Sequence, residues 1–295
     1  MSFKSGFVNI IGLPNAGKST LINKLIQEKV SIISPKVQTT RHRILGIIND
    51  PNFQMIFSDT PGIINDPKYP LHNAMMKFVN EAIADADVMV YIIDINDWRA
   101  DNRTLIEDIK KKYHGPLLIL LNKIDLSTQE RVEKQIEIFS AYTPVDNILP
   151  ISASNDFNLE LIKNKALEYL PEHPGYYPDD QFTDKTERFL AAEVIRGKIF
   201  NYFRQEIPYA TEVAVTEFKE EENIIRIAAE IFVERLSQKG IIIGRGGEAL
   251  KRIATDARLE LEENLKKKVF LEVFVKVKED WRSKTNNLRQ FGFEL

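Results

Sequence analysis

The 295-residue sequence contains no cysteine. Disulfides and thiolate metal sites are therefore excluded, and the composition fits a reducing compartment. Histidine is scarce: His42, His72, His114 and His173 fall at spacings that make no metal-ligand set, which leaves them as surface or packing residues. No apolar run approaches the ~20 residues a membrane-spanning helix needs. Neither charge dominates, with 40 Lys plus Arg against 43 Asp plus Glu, so any nucleic-acid-binding surface has to be a local patch. The first strand-like run begins about seven residues from Met1, which predicts no signal or transit peptide and a cytoplasmic setting. There is no internal repeat and no low-complexity tract. At 43% hydrophobic and 28% charged, the chain is long enough for two globular domains with real cores.

The first half alternates short apolar runs with helical periodicity. Strands are expected at 7–11, 44–48, 53–57, 88–93, 117–121 and 148–151, and helices at 19–27, 71–84, 102–112, 129–142 and 159–170. That order predicts an α/β fold with a mainly parallel sheet covered on both faces, spanning residues 1–170. A Pro-rich polar connector follows, from Pro171 to Asp180, and marks a linker at 171–185. Beyond it, at 186–295, the texture changes to a smaller α+β domain. Its expected elements are a helix at 186–205, strands at 212–218 and 224–234, a short helix near Leu236, a glycine loop, a helix at 248–266 and a strand at 269–277.

Between the first strand and first helix stands Gly12-Leu13-Pro14-Asn15-Ala16-Gly17-Lys18-Ser19-Thr20, which fits Gly-x-x-x-x-Gly-Lys-Ser/Thr. Such a loop curls backbone N–H groups around a β-phosphate at the positive end of a helix. Lys18 would reach the β and γ oxygens, and Ser19 would bind Mg²⁺. The bland reading is an ordinary strand-helix turn. The base is read elsewhere. Asn122-Lys123-Ile124-Asp125 lies at the carboxyl end of a predicted strand, where open α/β sheets bind ligands. The Asp125 carboxylate can accept from guanine N1–H and its 2-amino group, whereas adenine offers that site the wrong donors. Asn122 can bond the N7 edge and brace the phosphate loop. Alone this run could be a surface turn; beside the Gly12 loop it selects guanine. Asp59-Thr60-Pro61-Gly62 supplies a carboxylate to hold a water on Mg²⁺ and a Gly62 amide for the γ-phosphate. Ser152-Ala153 offers the Ala153 amide to guanine O6.

These four elements, in this order, resemble the P-loop GTPases of the translation-factor class over residues 6 to 170. The predicted ligands are GTP or GDP with Mg²⁺. The polar stretch from Ser34 to Arg41 stands where a switch loop should be. Thr40 is the first choice for the hydroxyl that closes on Mg²⁺ and γ-phosphate, with Thr39 as the alternative. Leu71 to Met76 follows the second switch and is expected to move with it. After Gly62, where many such enzymes carry a water-orienting Gln, this chain has Ile63 and Ile64, which cannot position water. Asn15 resembles the asparagine that helps bind K⁺ in related potassium-stimulated GTPases; its alternative role is loop packing.

In the second half, Gly244-Arg245-Gly246-Gly247 fits the G-x-x-G loop that clamps nucleic-acid backbone in KH domains, and the helix-strand-strand-helix-helix-strand order is that of the prokaryotic-type (type II) KH fold. A loose dinucleotide fingerprint at Gly244, Gly246 and Ala249 is the rival. It would have only the three-residue run from Ile241 to Ile243 as its strand, and the chain ends at Leu295 before a second half could form. From Glu187 onward there are 20 Lys plus Arg against 19 Asp plus Glu. Between Arg235 and Arg252, however, Arg235, Lys239, Arg245, Lys251 and Arg252 face only Glu248. Phosphates would lie on that patch, unless it is merely a solvated helix face. Lys266 to Lys268 either extend it or end a helix favourably. Asp94 to Trp98 is rejected as a calcium loop, since Trp98 stands where a ligand belongs and the glycine is missing; Trp98 is expected in the core.

A GTPase domain with Gln38-Thr39-Thr40-Arg41 and Asp59-Thr60-Pro61-Gly62, joined to a C-terminal KH domain, closely resembles the bacterial Era family across the whole chain. The resemblance implies a GTP-dependent assembly factor of the small (30S) ribosomal subunit that binds near the 3′ end of 16S rRNA, with peripheral association at the inner face of the cell membrane; DNA is not an expected partner. Spacing alone argues only for a GTP-controlled RNA binder. Two other classes compete with this reading. A constitutive RNA-binding module with a vestigial nucleotide site sits badly with intact Lys18, Ser19, Thr40, Asp59 and Asp125. A membrane-surface cell-cycle GTPase would want a long basic amphipathic helix, which is missing.

Overall fold

The computed structural model describes residues 2–97 and 101–294. The chain divides into two compact units: one of residues 1–31, 40–66 and 75–184, the other of residues 32–39, 67–74 and 185–295. Trp98, expected in the core, lies outside the described residues.

The first unit is built on β1 (Lys4–Ile11), α1 (Lys18–Ile26), β2 (Ile44–Asp50), β3 (Phe53–Asp59), α2 (Pro70–Ala84), β4 (Val88–Asp94), α3 (Asn102–Lys112), β5 (Leu117–Asn122), α4 (Gln129–Phe139), β6 (Ile148–Pro150) and α5 (Leu159–Tyr169). Its sheet has the order β2-β3-β1-β4-β5-β6 and is parallel except for the antiparallel pair β2–β3. In β4 and β5 nearly every residue is buried. Successive strand side chains point to opposite faces, so continuous burial requires cover on both. Tyr91, Ile93, Ile119 and Leu121 form one such core with Val79 and Ile83 of α2, Ile106 and Ile109 of α3 and Phe139 of α4.

The connector after α5 is less of a loose tether than its proline content suggests. It runs along the β2 edge, with Ile47 N–H donating to the Phe182 carbonyl at 2.8 Å and the Thr183 hydroxyl to the Leu45 carbonyl at 2.6 Å. Gln54 caps it further back, accepting from the Tyr176 and Tyr177 amides and donating to the Tyr177 carbonyl. An edge strand that would otherwise offer unpaired backbone groups is covered in this way.

The second unit carries α6 (Glu187–Tyr202), β7 (Glu212–Glu220), β8 (Ile224–Val233), α7 (Leu236–Ile243), α8 (Glu248–Leu265), β9 (Lys268–Val277) and α9 (Thr285–Gln290). β7 pairs antiparallel and β9 parallel with the central β8. Here alternation is clean: Ile225, Ile227, Ala229, Ile231 and Val233 are buried, and they pack with Ala192, Ile195 and Ile199 of α6 and Ile253, Ala257 and Leu261 of α8. The short helix expected near Leu236 is α7, and the run 241–243 that the dinucleotide rival would need as a strand is its last turn. Gln238 starts this helix, its Oε1 accepting from the Glu234 and Arg235 amides, and the three isoleucines continue it. α9 was not expected; its buried anchor is Leu288.

Candidate functional site

The Gly12 loop is shaped by close approaches. A Cβ on Gly12 would meet the Ile92 carbonyl at 2.5 Å, and one on Gly17, whose φ is +107°, would meet Asn122 Nδ2 at 2.2 Å. Lys18 folds back over the loop, its Nζ donating to the Gly12 and Leu13 carbonyls at 2.9 Å each. Burial brings the Lys18 ammonium down to about 8, against the opposing pull of Asp59. Asn15 takes the left-handed conformation, and its carbonyl accepts from Lys123 Nζ at 2.8 Å.

At the end of this loop three oxygen-bearing side chains converge. Ser19 Oγ lies 2.9 Å from Thr40 Oγ1, and both hydroxyls donate to Asp59 Oδ2, at 2.8 and 3.2 Å. Asp59 is fully buried, which pushes its carboxyl above the ordinary range despite the Lys18 charge and the Ser19 hydroxyl. Its Oδ1 and the Ser31 hydroxyl are buried without a well-formed hydrogen bond among the described residues. Two hydroxyls and a carboxylate with an unsatisfied oxygen make an all-oxygen donor set, the chemistry that Mg²⁺ and its waters satisfy. Thr40, and not Thr39, belongs to this cluster. Gly62 is held against Pro14, where a Cβ would come within 2.8 Å, and the next amide, Ile63 N–H, donates to the Gly12 carbonyl at 3.2 Å. The Ile63 side chain packs on the core beside β1 and β4, so it faces apolar groups.

The Asn122–Asp125 run joins the loop from the neighbouring strand. Asn122, 1% exposed, donates from Nδ2 to the Ala16 carbonyl at 2.8 Å and accepts at Oδ1 from the Ala153 amide at 3.0 Å. One residue thus ties the Gly12 loop to the Ser152-Ala153 turn. It also engages the Ala153 amide that sequence reasoning assigned to guanine O6, so that donor would be shared. Asp125 is exposed and is oriented by the Ser152 hydroxyl at 2.6 Å. Lys123 bonds Asp94 at 2.7 Å, and Asn96 donates to the Lys123 carbonyl at 3.1 Å. The Asp94–Asp97 segment therefore braces this run; among the described residues no group of three or more His, Asp or Glu makes a metal site. Thr20, next to Ser19 on α1, is half-buried.

In the second unit, Gly244-Arg245-Gly246-Gly247 joins α7 to α8 as one turn of 3₁₀ helix. Gly246 and Gly247 have φ of +61° and +82°, and a Cβ on either would meet nothing within 4 Å. Backbone conformation requires glycine there, and the space above is open. Arg235, Arg245, Lys251 and Arg252 are exposed and Lys239 half-buried; among the described residues none is paired with a carboxylate. Arg252 lies over the Tyr202 ring at 4.8 Å and donates to its hydroxyl at 3.0 Å. In the lysine run, Lys267 pairs with Glu220 at 3.0 Å and Lys268 approaches Glu262 at 3.8 Å, while Lys266 is exposed.

Sequence reasoning missed two cations that hold the switch loop. Lys36 Nζ donates to the Phe200 and Phe203 carbonyls, and Arg196 Nη2 to the Thr39 carbonyl. Their partners lie 157 to 167 residues away, so no local pattern betrays them. His72 is also more than a packing residue, with Nε2 3.1 Å from Gln38 Nε2 and Nδ1 accepting from the Lys68 amide at 3.2 Å.

No helix among the described residues is long and apolar enough to cross a membrane. Comparison with known proteins agrees with the geometry. The family described as 50S ribosome-binding GTPase matches residues 7–123, and the KH domain family matches residues 206–282. The chain is 44% identical to the GTPase Era of Geotalea uraniireducens (strain Rf4), over 99% of this chain and 98% of that one. Among solved structures, it resembles Era in complex with MgGDPNP and nucleotides 1506–1542 of 16S ribosomal RNA at 40% identity and a TM-score of 0.94, over 99% of this chain and 100% of that one. An Aquifex aeolicus Era variant bound to GDP·AlF₄⁻ matches with the same identity, score and coverage. A GTPase fold with a mainly parallel sheet followed by a KH fold, matched along its full length at this identity, places the chain in the Era family of GTPases.

Proposed function

We propose that the protein is a GTP-hydrolysing switch that binds 16S rRNA and assists assembly of the small ribosomal subunit. Residues 1–170 are its GTP-binding domain, 171–185 the connection and 186–295 its RNA-binding KH domain. The observation that carries the reading is the convergence of Ser19, Thr40 and Asp59 beside Lys18, in a chain that also presents an open, positively charged glycine loop. The full-length relatives named above, one solved with MgGDPNP and 16S rRNA together, support it.

Ser19 and Thr40 would hold Mg²⁺ directly and Asp59 through a water; the ion would supply positive charge to the β- and γ-phosphate oxygens. Lys18 neutralises the same oxygens, the Gly62 amide bonds the γ-phosphate, and Gly12, Asn15, Ala16, Gly17 and Thr20 line the phosphate cradle. Asn122, Lys123, Asp125, Ser152 and Ala153 enclose guanine. Water cleaves the β–γ phosphoanhydride. Since Ile63 cannot orient that water, unassisted turnover should be slow, on the order of 10⁻⁴ to 10⁻² s⁻¹. Lys239, Gly244, Arg245, Gly246, Gly247, Lys251 and Arg252 receive RNA phosphates. The protein works in the cytoplasm, with peripheral contact at the inner face of the membrane as a secondary location.

The test is hydrolysis of γ-labelled GTP by the purified protein with and without EDTA, alongside binding of a fragment from the 3′ end of 16S rRNA. Mg²⁺-dependent phosphate release together with RNA binding supports the reading. Phosphate release that ignores EDTA, or no affinity for the RNA, refutes it.

A further inference from the structure

Residues 32–39, the expected switch connection, belong to the second unit. Two side-chain contacts fix it there, both on α6. Helices leave their last four carbonyls without intrahelical partners, and cations near that end satisfy them. Lys36 does this for α6, donating to the carbonyls of Phe200 and Phe203. The second contact is made by Arg196, which is 1% exposed. Its Nε and Nη2 hold the two Glu193 oxygens at 2.7 and 2.6 Å, Glu212 stands 4.0 Å away, and Nη2 also donates to the Thr39 carbonyl.

That carbonyl belongs to the peptide unit whose nitrogen is Thr40's. A peptide is planar, so a guanidinium that fixes the Thr39 oxygen also fixes the plane from which the Thr40 side chain departs. Thr40 Oγ1 is then found 2.9 Å from Ser19 Oγ and 3.2 Å from Asp59 Oδ2. A buried guanidinium between two carboxylates is a poor device for stability alone, because desolvation offsets most of its attraction. It is a good device for holding one fork of donors in a fixed direction.

We propose that Arg196 is a positioning residue for nucleotide discrimination: with Lys36 as a second anchor, it holds the switch connection so that the Thr40 hydroxyl meets Ser19 and Asp59, and thereby favours the triphosphate over the diphosphate. The inference rests on Thr40 being the residue that closes on Mg²⁺ and the γ-phosphate. Diphosphate binding does not need that closure, so loosening either anchor acts on GTP and leaves GDP alone. By thermodynamic reciprocity, the nucleotide state then biases the hold on α6.

The experiment titrates the full chain with fluorescent GDP and with a fluorescent, non-hydrolysable GTP analogue across a Mg²⁺ series. Arg196→Lys keeps the buried charge but has no fork to hold Glu193 and Thr39 together. Lys36→Met keeps the stem and removes the ammonium at a half-buried site that folding tolerates, and Lys36→Arg restores the donors. In Arg196→Lys and in Lys36→Met the ratio of analogue to GDP affinity should fall on the order of tenfold, the worth of one charge-assisted hydrogen bond. GDP affinity should hold, and half-saturation by the analogue should need more Mg²⁺; Lys36→Arg should recover the parent ratio. The parent's own affinities report separately on the pocket. If Lys36→Met, folded and binding GDP like the parent, also keeps the parent's ratio, the proposal is wrong whatever Arg196→Lys does.

Discussion

The two glycine loops of this chain look alike as sequence, each a short Gly-rich turn that opens a helix, yet they need glycine for different reasons. Around Gly12 and Gly17 the protein itself occupies the space a side chain would take, the Ile92 carbonyl at 2.5 Å and Asn122 Nδ2 at 2.2 Å. Above Gly246 and Gly247 there is nothing within 4 Å, and only the positive φ excludes other residues. The first loop is enclosed and preorganised for one compact, highly charged group. The second is an open ledge rimmed by cations that, among the described residues, have no carboxylate partner, and it is suited to a polymer that passes across it. A ligand's size is thus recorded in what surrounds the glycines.

The comparison breaks most sharply at Gly17. Gly17→Ala would force a methyl group into Asn122 in a conformation that already disfavours alanine by about 1–3 kcal/mol. It should also break the tie from Asn122 to Ala16 and Ala153, so GDP and GTP affinity should drop by roughly a hundredfold or more in calorimetric titration, with RNA affinity in the absence of nucleotide little changed. Second in size is the base. Asp125→Asn leaves guanine's donors facing an amide, a mismatch of about 1–3 kcal/mol. GTP should bind correspondingly more weakly and xanthosine nucleotides better, as competition assays would show. At the open loop, Arg245→Asp with Gly246→Asp adds charge and bulk where phosphates pass. RNA affinity at fixed salt should fall at least about tenfold, or 1.4 kcal/mol, while GDP affinity and the thermal melt stay near the parent's. The smallest effect is expected at Asn15: hydrolysis should run a few-fold faster in K⁺ than in Na⁺, and equal rates would assign Asn15 to loop packing.

What could be read in advance followed sequence distance. Lys18, Ser19, Asp59, Asn122 and Asp125 sit in short runs at strand ends, where motif and periodicity reinforce each other, and the strands beneath them are continuous apolar runs. The glycine loop at Gly244 was legible from its own motif, although it joins two helices, α7 and α8. The short α7 helix was legible near Leu236 although Ile241, Ile242 and Ile243 have β-forming side chains; packing of Ile242 and the Gln238 cap prevail over that preference. The connector's prolines suggested a linker, while its Tyr176, Tyr177 and Phe182 backbone groups pair with Gln54 and Ile47 and its Thr183 hydroxyl with the Leu45 carbonyl. α9 is polar except for Leu288 and carries too little periodicity to announce itself. The anchors Lys36 and Arg196 were invisible because a lone cation in a polar loop, or in a helix of mixed character, does not name a backbone carbonyl more than 150 residues away.

The nucleotide in the enclosed loop is expected to set how tightly the open ledge holds RNA. This claim is tested most directly by the dissociation constant of the full chain for a fragment from the 3′ end of 16S rRNA, measured at fixed salt with Mg²⁺ and either GDP or a non-hydrolysable GTP analogue. Binding should be tighter with the analogue by about tenfold, a coupling of roughly 1.4 kcal/mol, and the difference should disappear in Arg245→Asp with Gly246→Asp. Equal dissociation constants in the two nucleotide states would contradict the claim and leave two independent binding sites on one chain.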